Sequence, residues 1–135
     1  LTIEAPIGRD PRDRKRMAVV EGGRAATTRV EVRERWKRAD LLHVALRTGR
    51  THQIRVHLAS VGHPVIGDPV YGVGWERGLG GPTRRWVDRM ARLVHRQFLH
   101  AAELAFRHPA TGEVVRFRAP LPGDLAEAAE WARNS

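Results

Sequence analysis

The chain has 135 residues, which is enough for one domain with a modest hydrophobic core. It contains no cysteine, which excludes disulfides, a thiol nucleophile and thiolate metal sites, and no apolar run is long enough to predict a membrane span. The formal net charge of +9 comes almost entirely from arginine, whose planar group suits phosphate, and this favours nucleic acid as a partner over the alternative of merely solvated arginine faces.

Short strands are predicted in the first third of the chain. The run from Thr2 to Ile7 is β-like, and the apolar run from Met17 to Val20 indicates a buried strand. Apolar and charged residues alternate from Ala25 to Trp36 and again from Asp40 onward, which indicates two half-buried strands. Because the connection between these two strands is short, an antiparallel pair is predicted.

A short helix is predicted near the middle of the chain. Thr51 is expected to cap its N-terminus, because the threonine side-chain oxygen can accept from unpaired backbone N–H groups. Gly62 suits the left-handed residue that ends a helix, and Pro64 prevents continuation. Val65–Ile66 is then predicted as a short buried strand. The apolar stripe of the helix consists of Ile54, Leu58 and Val61.

The second half of the chain predicts a long loop, two helices and two strands. The loop extends from Gly67 to Thr83, and its last threonine is expected to cap a helix from Arg84 to Val94 that packs its apolar side on the core and leaves its other side basic. Strands are predicted from Phe98 to Phe106 and from Val114 to Arg118. Asp124 is expected to open the last helix in a capping box.

Several kinds of catalytic site do not fit the sequence. His52, His57 and His63 lack the i, i+4 spacing of a helical zinc site, so no metal site is predicted. Ser60 and Ser135 are the only serines, and neither has a nucleophile-elbow setting. The glycines of the long loop lack the lysine and the strand–loop–helix context of a phosphate loop.

Arg55 is the remaining candidate for chemistry. It is predicted to project from the first turns of the central helix toward the end of the sheet, where a partly buried guanidinium group needs a carboxylate or phosphate partner. The residues alone leave two alternatives open: an internal structural salt bridge, or a functional site that meets an anion.

The run Leu46–His57, followed by Gly62–Gly72, closely resembles the third conserved block of the RluA/RluD-type pseudouridine synthases. Upstream Ile3–Arg9 and downstream Leu99–Ala101 and Ala119–Pro122 resemble the same family, so the resemblance covers essentially the whole chain and is closest to the large-subunit ribosomal RNA branch. It implies an α+β fold, mainly an antiparallel sheet with flanking helices, and the isomerisation of uridine to pseudouridine in RNA.

The resemblance also implies that part of the enzyme lies outside this chain. Family members attack uridine with an aspartate in an Arg-Leu-Asp stretch and pack a tyrosine from a later strand on the target base, and neither motif occurs here. The chain starts at Leu1 rather than at methionine. We therefore expect residues 1–135 to be the C-terminal portion of the catalytic domain, to need the N-terminal half of that domain as a partner, and to be inactive alone.

The resemblance assigns roles to a small set of residues. Arg55 is expected to pair with the absent catalytic aspartate, because a nearby cation favours the ionised carboxylate. No metal, cofactor or membrane is implied, the partner is RNA, and a cytoplasmic location is the default. For Arg50 and His52, the alternative to an RNA contact is a hydrogen bond that stabilises the turn. The expected RNA-binding residues are Arg50, Thr51, His52, Leu99 and His100.

Two other classes of protein also fit the sequence. A non-catalytic RNA-binding module would keep the basic surface and bind RNA with a steep salt dependence. A stable fragment of a larger protein would have no activity of its own.

Overall fold

The computed structural model describes residues 1–74 and 78–135, and it has the predicted α+β fold with antiparallel strands and three helices. The part of the predicted long loop that covers residues 75–77 lies outside the described residues. The elements are β1 (Thr2–Glu4), β2 (Ile7–Arg9), β3 (Met17–Val19), β4 (Thr27–Arg35), β5 (Asp40–Leu46), α1 (Gln53–Ser60), α2 (Gly81–Leu93), β6 (Glu103–Arg107), β7 (Val114–Arg118) and α3 (Gly123–Asn134).

The described strands form three antiparallel sheets rather than one continuous sheet. The first has the order β1-β4-β5, the second pairs β2 with β3, and the third is the β6–β7 hairpin. The predicted antiparallel pairing of β4 with β5 is confirmed, with Val30 opposite Val44 and a register shift between Val32 and Glu34. Since β5 is the last strand of its sheet, one of its edges has no strand partner in the described part of the chain.

Small clusters of buried apolar side chains hold these elements together. Helices α2 and α3 share one cluster that contains Trp86, Met90 and Leu125, so the predicted apolar side of α2 does pack on a core. Helix α1 contributes Leu58 to a cluster with the first sheet and Val56 to a cluster beside β2. Because α1 is covered on more than one side, three polar residues of this helix are buried as well: Gln53, Arg55 and His57.

The ends of α1 differ in how well the sequence predicted them. Gly62 has a φ of 83°, and its N–H donates to the carbonyl of Ala59 while that of His63 donates to the carbonyl of Leu58, which is the predicted left-handed helix end. The predicted Thr51 cap is wrong: His52 occupies the N-cap position with a φ of 54°, and no side chain caps the helix. The left-handed His52 turns the chain sharply into the helix, so the preceding threonine side chain lies in an exposed turn.

Two predicted strands are wrong or shortened. Val65–Ile66 is not a strand, because the chain turns there: the N–H of Asp68 donates to the carbonyl of Val65, and Gly67 has a φ of 78°. The strand predicted from Phe98 is confined to β6, because the N–H of Leu99 donates to the carbonyl of Gln97 and bends the backbone before pairing begins.

Two predicted helix caps are wrong as well. Helix α2 begins before Thr83, with Gly80 at its N-cap and a proline in its first turn, where the missing N–H costs nothing. Helix α3 follows Pro122 and has no side-chain cap, because the carboxylate of Asp124 bonds to Arg96 instead. No helix within the described ranges has the length and apolarity to cross a membrane.

Candidate active site

Arg55 and Asp68 form a buried, bidentate ion pair. Arg55 Nε donates to Asp68 Oδ2 at 2.7 Å, and Arg55 NH2 donates to Asp68 Oδ1 at 2.8 Å. The Asp68 side chain is 0% exposed and that of Arg55 is 11% exposed. Of the alternatives left open by the sequence, an internal salt bridge is therefore present in this chain.

Backbone N–H groups also hold the Asp68 carboxylate. Its Oδ1 atom also accepts from the N–H groups of Val70 and Tyr71 at 2.9 and 3.0 Å. Burial by itself raises the pKa of Asp68, but the hydrogen bonds from Arg55, Val70 and Tyr71 outweigh burial and hold that pKa below its ordinary value. The hydrogen bond to Asp68 raises the pKa of Arg55, so both groups are charged at neutral pH.

Part of the Arg55 guanidinium group remains available. Arginine has five N–H donors, and Asp68 takes one from Nε and one from NH2. Arg55 NH1 makes no hydrogen bond within residues 1–74 and 78–135. Asp68 therefore holds the guanidinium group in one orientation and leaves its NH1 group able to bind a second anion.

Tyr71 connects several cationic and polar groups around this pair. The guanidinium carbons of Arg55 and Arg16 lie 5.0 and 5.1 Å from the centre of its ring, within the range of a cation–π contact. Its hydroxyl oxygen accepts from the N–H of Met17 at 3.0 Å and lies 2.8 Å from His52 Nδ1. Tyr71 thereby joins the end of the charged N-terminal loop to the start of α1.

The sequence did not predict three members of the site: Asp68, Tyr71 and Arg16. Asp68 and Tyr71 lie in a segment with Gly67, Pro69 and Gly72, where glycine and proline fix the chain direction. The available signal for these two residues was an acid and an aromatic side chain in a rigid segment just after the central helix. No local pattern marks Arg16, because its place on the ring results from pairing β2 with β3.

A buried hydrogen-bond network holds α1 against the first sheet. Gln53 Nε2 donates to Thr28 Oγ1 at 3.0 Å, and its Oε1 accepts from Thr48 at 2.7 Å. His57 Nε2 lies 2.9 Å from the carbonyl oxygen of Ala5, which can only accept, so Nδ1 accepts from the Thr28 hydroxyl at 2.7 Å. Both ring nitrogens of His57 are thus occupied, and this buried histidine has a structural role.

The predicted RNA contacts at the start of α1 have different local roles. Arg50 Nε donates to the carbonyl of Ala25 at 2.9 Å, which is the turn-stabilising hydrogen bond that the sequence left open as its alternative. Thr51 is exposed in the turn. The His52 ring is bonded to Tyr71 and packs edge-on against it.

Leu99 and His100 line a large cleft beside β5. The cleft has a volume of about 1520 Å³ and lies between β5 and the segment that leads into β6. His100 is held by a contact of 3.0 Å from Nε2 to the carbonyl oxygen of Ala119. Asp68 is among the residues that line the same cleft, whereas Arg55 is not. Across the described part of the chain, no group of three histidine or acidic side chains is arranged to hold a metal ion.

Comparisons with known proteins agree on one family. The model of a family described as RNA pseudouridylate synthase matches residues 1–60. The chain is 47% identical over 132 residues to a ribosomal large subunit pseudouridine synthase D of Nitrosomonas europaea, covering 98% of this chain and 36% of the relative. It is 52% identical over 124 residues to an uncharacterized RNA pseudouridine synthase of Chloroflexus aurantiacus, covering 92% of this chain and 35% of that protein.

A solved structure extends the similarity to the fold. The human RNA pseudouridylate synthase domain containing 1 matches with a TM-score of 0.67 and 31% identity, over 90% of this chain and 48% of that chain. The chain therefore spans about a third of the length of the curated relatives named above, 36% and 35%, and about half of the solved chain, 48%.

Proposed function

We propose that this chain, which belongs by sequence and fold to the RNA pseudouridylate synthases, is the C-terminal part of a catalytic domain that isomerises uridine to pseudouridine in large-subunit ribosomal RNA. The location would be cytoplasmic. The relatives' names, the net charge of +9 and the Arg55 site support this proposal. The observation that carries it is the buried Arg55–Asp68 pair, in which the NH1 group of Arg55 has no hydrogen-bond partner among the described residues.

Two carboxylates would share Arg55 in the complete enzyme. Asp68 already takes Nε and one donor of NH2, so its role is to position the guanidinium group. The nucleophilic aspartate expected from the family would come from the missing part of the domain and bind at NH1. A cation held there lowers the pKa of the incoming carboxylate and keeps it ionised for attack.

The substrate uridine would be handled as in the family. The base is flipped into a pocket, the glycosidic bond breaks, and the uracil rotates and rejoins the ribose through carbon. Flipping costs on the order of a few kcal/mol and needs a surface that receives the base. Leu99 and His100 on the wall of the cleft are our candidates for that surface, and Arg50, Thr51 and His52 are candidates for contacts to the RNA backbone.

The part of the domain outside this chain would pack along the β5 edge of the cleft. The volume of about 1520 Å³ exceeds that of a pocket for a small molecule, roughly 300–1,000 Å³. One wall is a strand edge without a strand partner in the described residues, and Leu46 and Leu104 at the cleft are 47% and 61% exposed. Since the relatives are almost three times as long as this chain, we assign this surface to the rest of the same domain.

Release of tritium from ribosomal RNA labelled at uridine carbon 5 tests the proposal, because rejoining at that carbon displaces its hydrogen. A protein extended at its N-terminus to the length of the relatives should release tritium, and the 135-residue chain alone should not. Arg55→Lys in the extended protein keeps the charge but loses the planar fork, so turnover should fall on the order of a hundredfold.

Arg96→Lys is the matched control, because Arg96 makes the same bidentate contact with Asp124 at an exposed position and should leave turnover unchanged. Robust turnover by the 135-residue chain alone would contradict the need for a missing nucleophile. Salt-dependent RNA binding without turnover by the extended protein would favour the non-catalytic RNA-binding module instead.

A further inference from the structure

Arg16 is a cation without a matching anion beside the candidate active site. Its guanidinium carbon lies 5.1 Å from the centre of the Tyr71 ring, and no carboxylate of the described residues forms an ion pair with it. Its Nε atom is buried and makes no hydrogen bond in the described part of the chain. Leaving a buried donor unpaired costs about 1–3 kcal/mol, so such a group in a folded protein requires an explanation.

The acids nearest to Arg16 in the sequence and at the site have other hydrogen-bond partners. Within the same loop, the carboxylates of Asp10 and Asp13 accept from the backbone N–H groups of Arg12 and Lys15, at 2.8 and 3.1 Å. Asp68 binds Arg55 and two backbone N–H groups. The charges of Arg55 and Asp68 cancel, so Arg16 leaves the cluster around Tyr71 with a net positive charge.

The backbone keeps Arg16 in this position. Its N–H donates to the carbonyl of Asp13 and its carbonyl accepts from the N–H of Asp10, both at 2.9 Å, at the point where β3 begins. The next N–H, that of Met17, donates to the Tyr71 hydroxyl. Arg16 is therefore a planar cation held against an aromatic ring before any ligand arrives, which lowers the entropic cost of binding.

We propose that Arg16, held against Tyr71, binds a phosphate group of the RNA strand that passes the Arg55 site. Phosphate fits because the terminal guanidinium nitrogens, which unlike Nε are not buried without a partner, offer parallel N–H donors, and a phosphate links each pair of successive nucleotides in RNA. Tyr71 is a positioning residue in this arrangement: both arginines lie over its ring, and its hydroxyl lies within hydrogen-bond distance of the His52 ring. The inference rests on the proposed function and adds a specific phosphate contact to it.

The test measures affinity for a ribosomal RNA fragment across a range of salt concentrations, with the protein extended to the length of its relatives. Arg16→Ala should weaken binding about fivefold to tenfold and reduce the slope of log affinity against log salt by roughly 0.7–0.9, the change for one phosphate contact. Arg16→Lys should keep most of the slope but bind less tightly, because lysine loses the planar stack.

Arg12→Ala is the matched control, because it removes the same charge from an exposed position in the same loop. If Arg12→Ala and Arg16→Ala change affinity and slope equally, Arg16 acts only through the general charge and the inference is wrong. Tyr71→Phe should keep the Arg16 slope, whereas Tyr71→Leu should reproduce the loss seen for Arg16→Ala, with circular dichroism to verify folding.

The test of the Arg16 phosphate contact can fail independently of the test of the proposed function. Tritium release by the unsubstituted extended protein tests the activity on its own. An active protein in which Arg16→Ala matches Arg12→Ala would overturn this inference alone. An inactive protein with an Arg16-specific loss of RNA affinity would overturn the activity and support the phosphate contact.

Discussion

At the scale of single residues, burial decides how much an ion pair matters. Arg55–Asp68 and Arg96–Asp124 have the same bidentate geometry, with Nε–Oδ2 distances of 2.7 and 2.9 Å. The first pair is almost fully covered, whereas both side chains of the second are more than 40% exposed. Removing one member of a buried pair leaves an uncompensated charge, and an exposed pair loses little because water replaces the partner.

Asp68→Asn should therefore destabilise the folded chain by about 3–5 kcal/mol, because Arg55 keeps its charge in a covered position. The measurement is the free energy of unfolding in urea. Asp124→Asn is the control and should cause a much smaller loss, because its partner Arg96 is exposed. Equal losses for the two substitutions would show that burial of the Arg55–Asp68 pair has no energetic consequence.

The same carboxylate predicts how stability depends on pH. The pKa of Asp68 is lower in the folded chain than its ordinary value, so below a pH of about 4 the unfolded chain binds a proton that the folded chain does not. The contribution of Asp68 to stability should be fully present above that pH and should decrease as the pH falls toward the pKa of Asp68 in the folded chain.

The measurement compares the free energy of unfolding in urea of the unsubstituted chain and of Asp68→Asn, from a pH of about 6 to about 3. The substituted chain should lose part of this dependence on pH. The lowered pKa values of Glu34 and Asp124 affect both proteins and cancel in the difference. A substituted chain with an unchanged pH dependence would refute the role of Asp68.

At the scale of elements, two glycines after α1 bring Asp68 back to Arg55. Gly62 ends the helix with a φ of 83°, and Gly67 turns the chain with a φ of 78° just before Asp68. Their surroundings differ: a Cβ atom on Gly62 would meet nothing within 4 Å, whereas one on Gly67 would collide with the backbone carbonyl of Arg96. The second turn therefore needs glycine both for its conformation and for space.

Gly62→Ala should cost roughly 1–2 kcal/mol, which is the price of a left-handed conformation for a residue with a Cβ atom. Gly67→Ala should cost distinctly more than Gly62→Ala, because the backbone of Arg96 must also move. Urea unfolding of both variants measures the difference. Equal costs would show that the contact between Gly67 and Arg96 relaxes freely.

At the scale of the whole molecule, the outer edge of β5 has no strand partner in the described residues and borders the cleft. An exposed strand edge is open to pairing with another chain segment. We proposed that the rest of the catalytic domain covers it. Amide hydrogen exchange tests this directly, because it reports which backbone N–H groups are protected.

In the 135-residue chain, the β5 amides that face away from β4 and those of the segment before β6 should exchange rapidly, and in the protein extended to the length of its relatives they should be protected. Amides of α3, which is packed in another cluster, serve as the internal control and should exchange alike in both proteins. Unchanged exchange in β5 after extension would place the missing segment elsewhere.

The sequence by itself determined the local features of this protein. Alternation from Ala25 to Leu46 was sufficient to predict the antiparallel pair, since side chains point to opposite faces of a strand. Gly62 predicted the end of α1, because few other residues adopt a left-handed conformation at low cost. The resemblance carried by Leu46–His57 agreed with the family found by comparison. The predicted position of Arg55 at the start of α1 also indicated an anionic partner, since burying a charge without one is costly.

Only the tertiary structure decided which groups meet at the site. Asp68 is 13 residues from Arg55 in sequence, and the turn at Gly67 brings it there. Tyr71 and Arg16 meet because strand pairing and helix packing join distant segments, which no local pattern encodes. The same limit explains the wrong Thr51 cap, where contacts of the neighbouring His52 with Tyr71 accompany a left-handed entry into α1. The second partner of Arg55, the absent aspartate, stays a prediction.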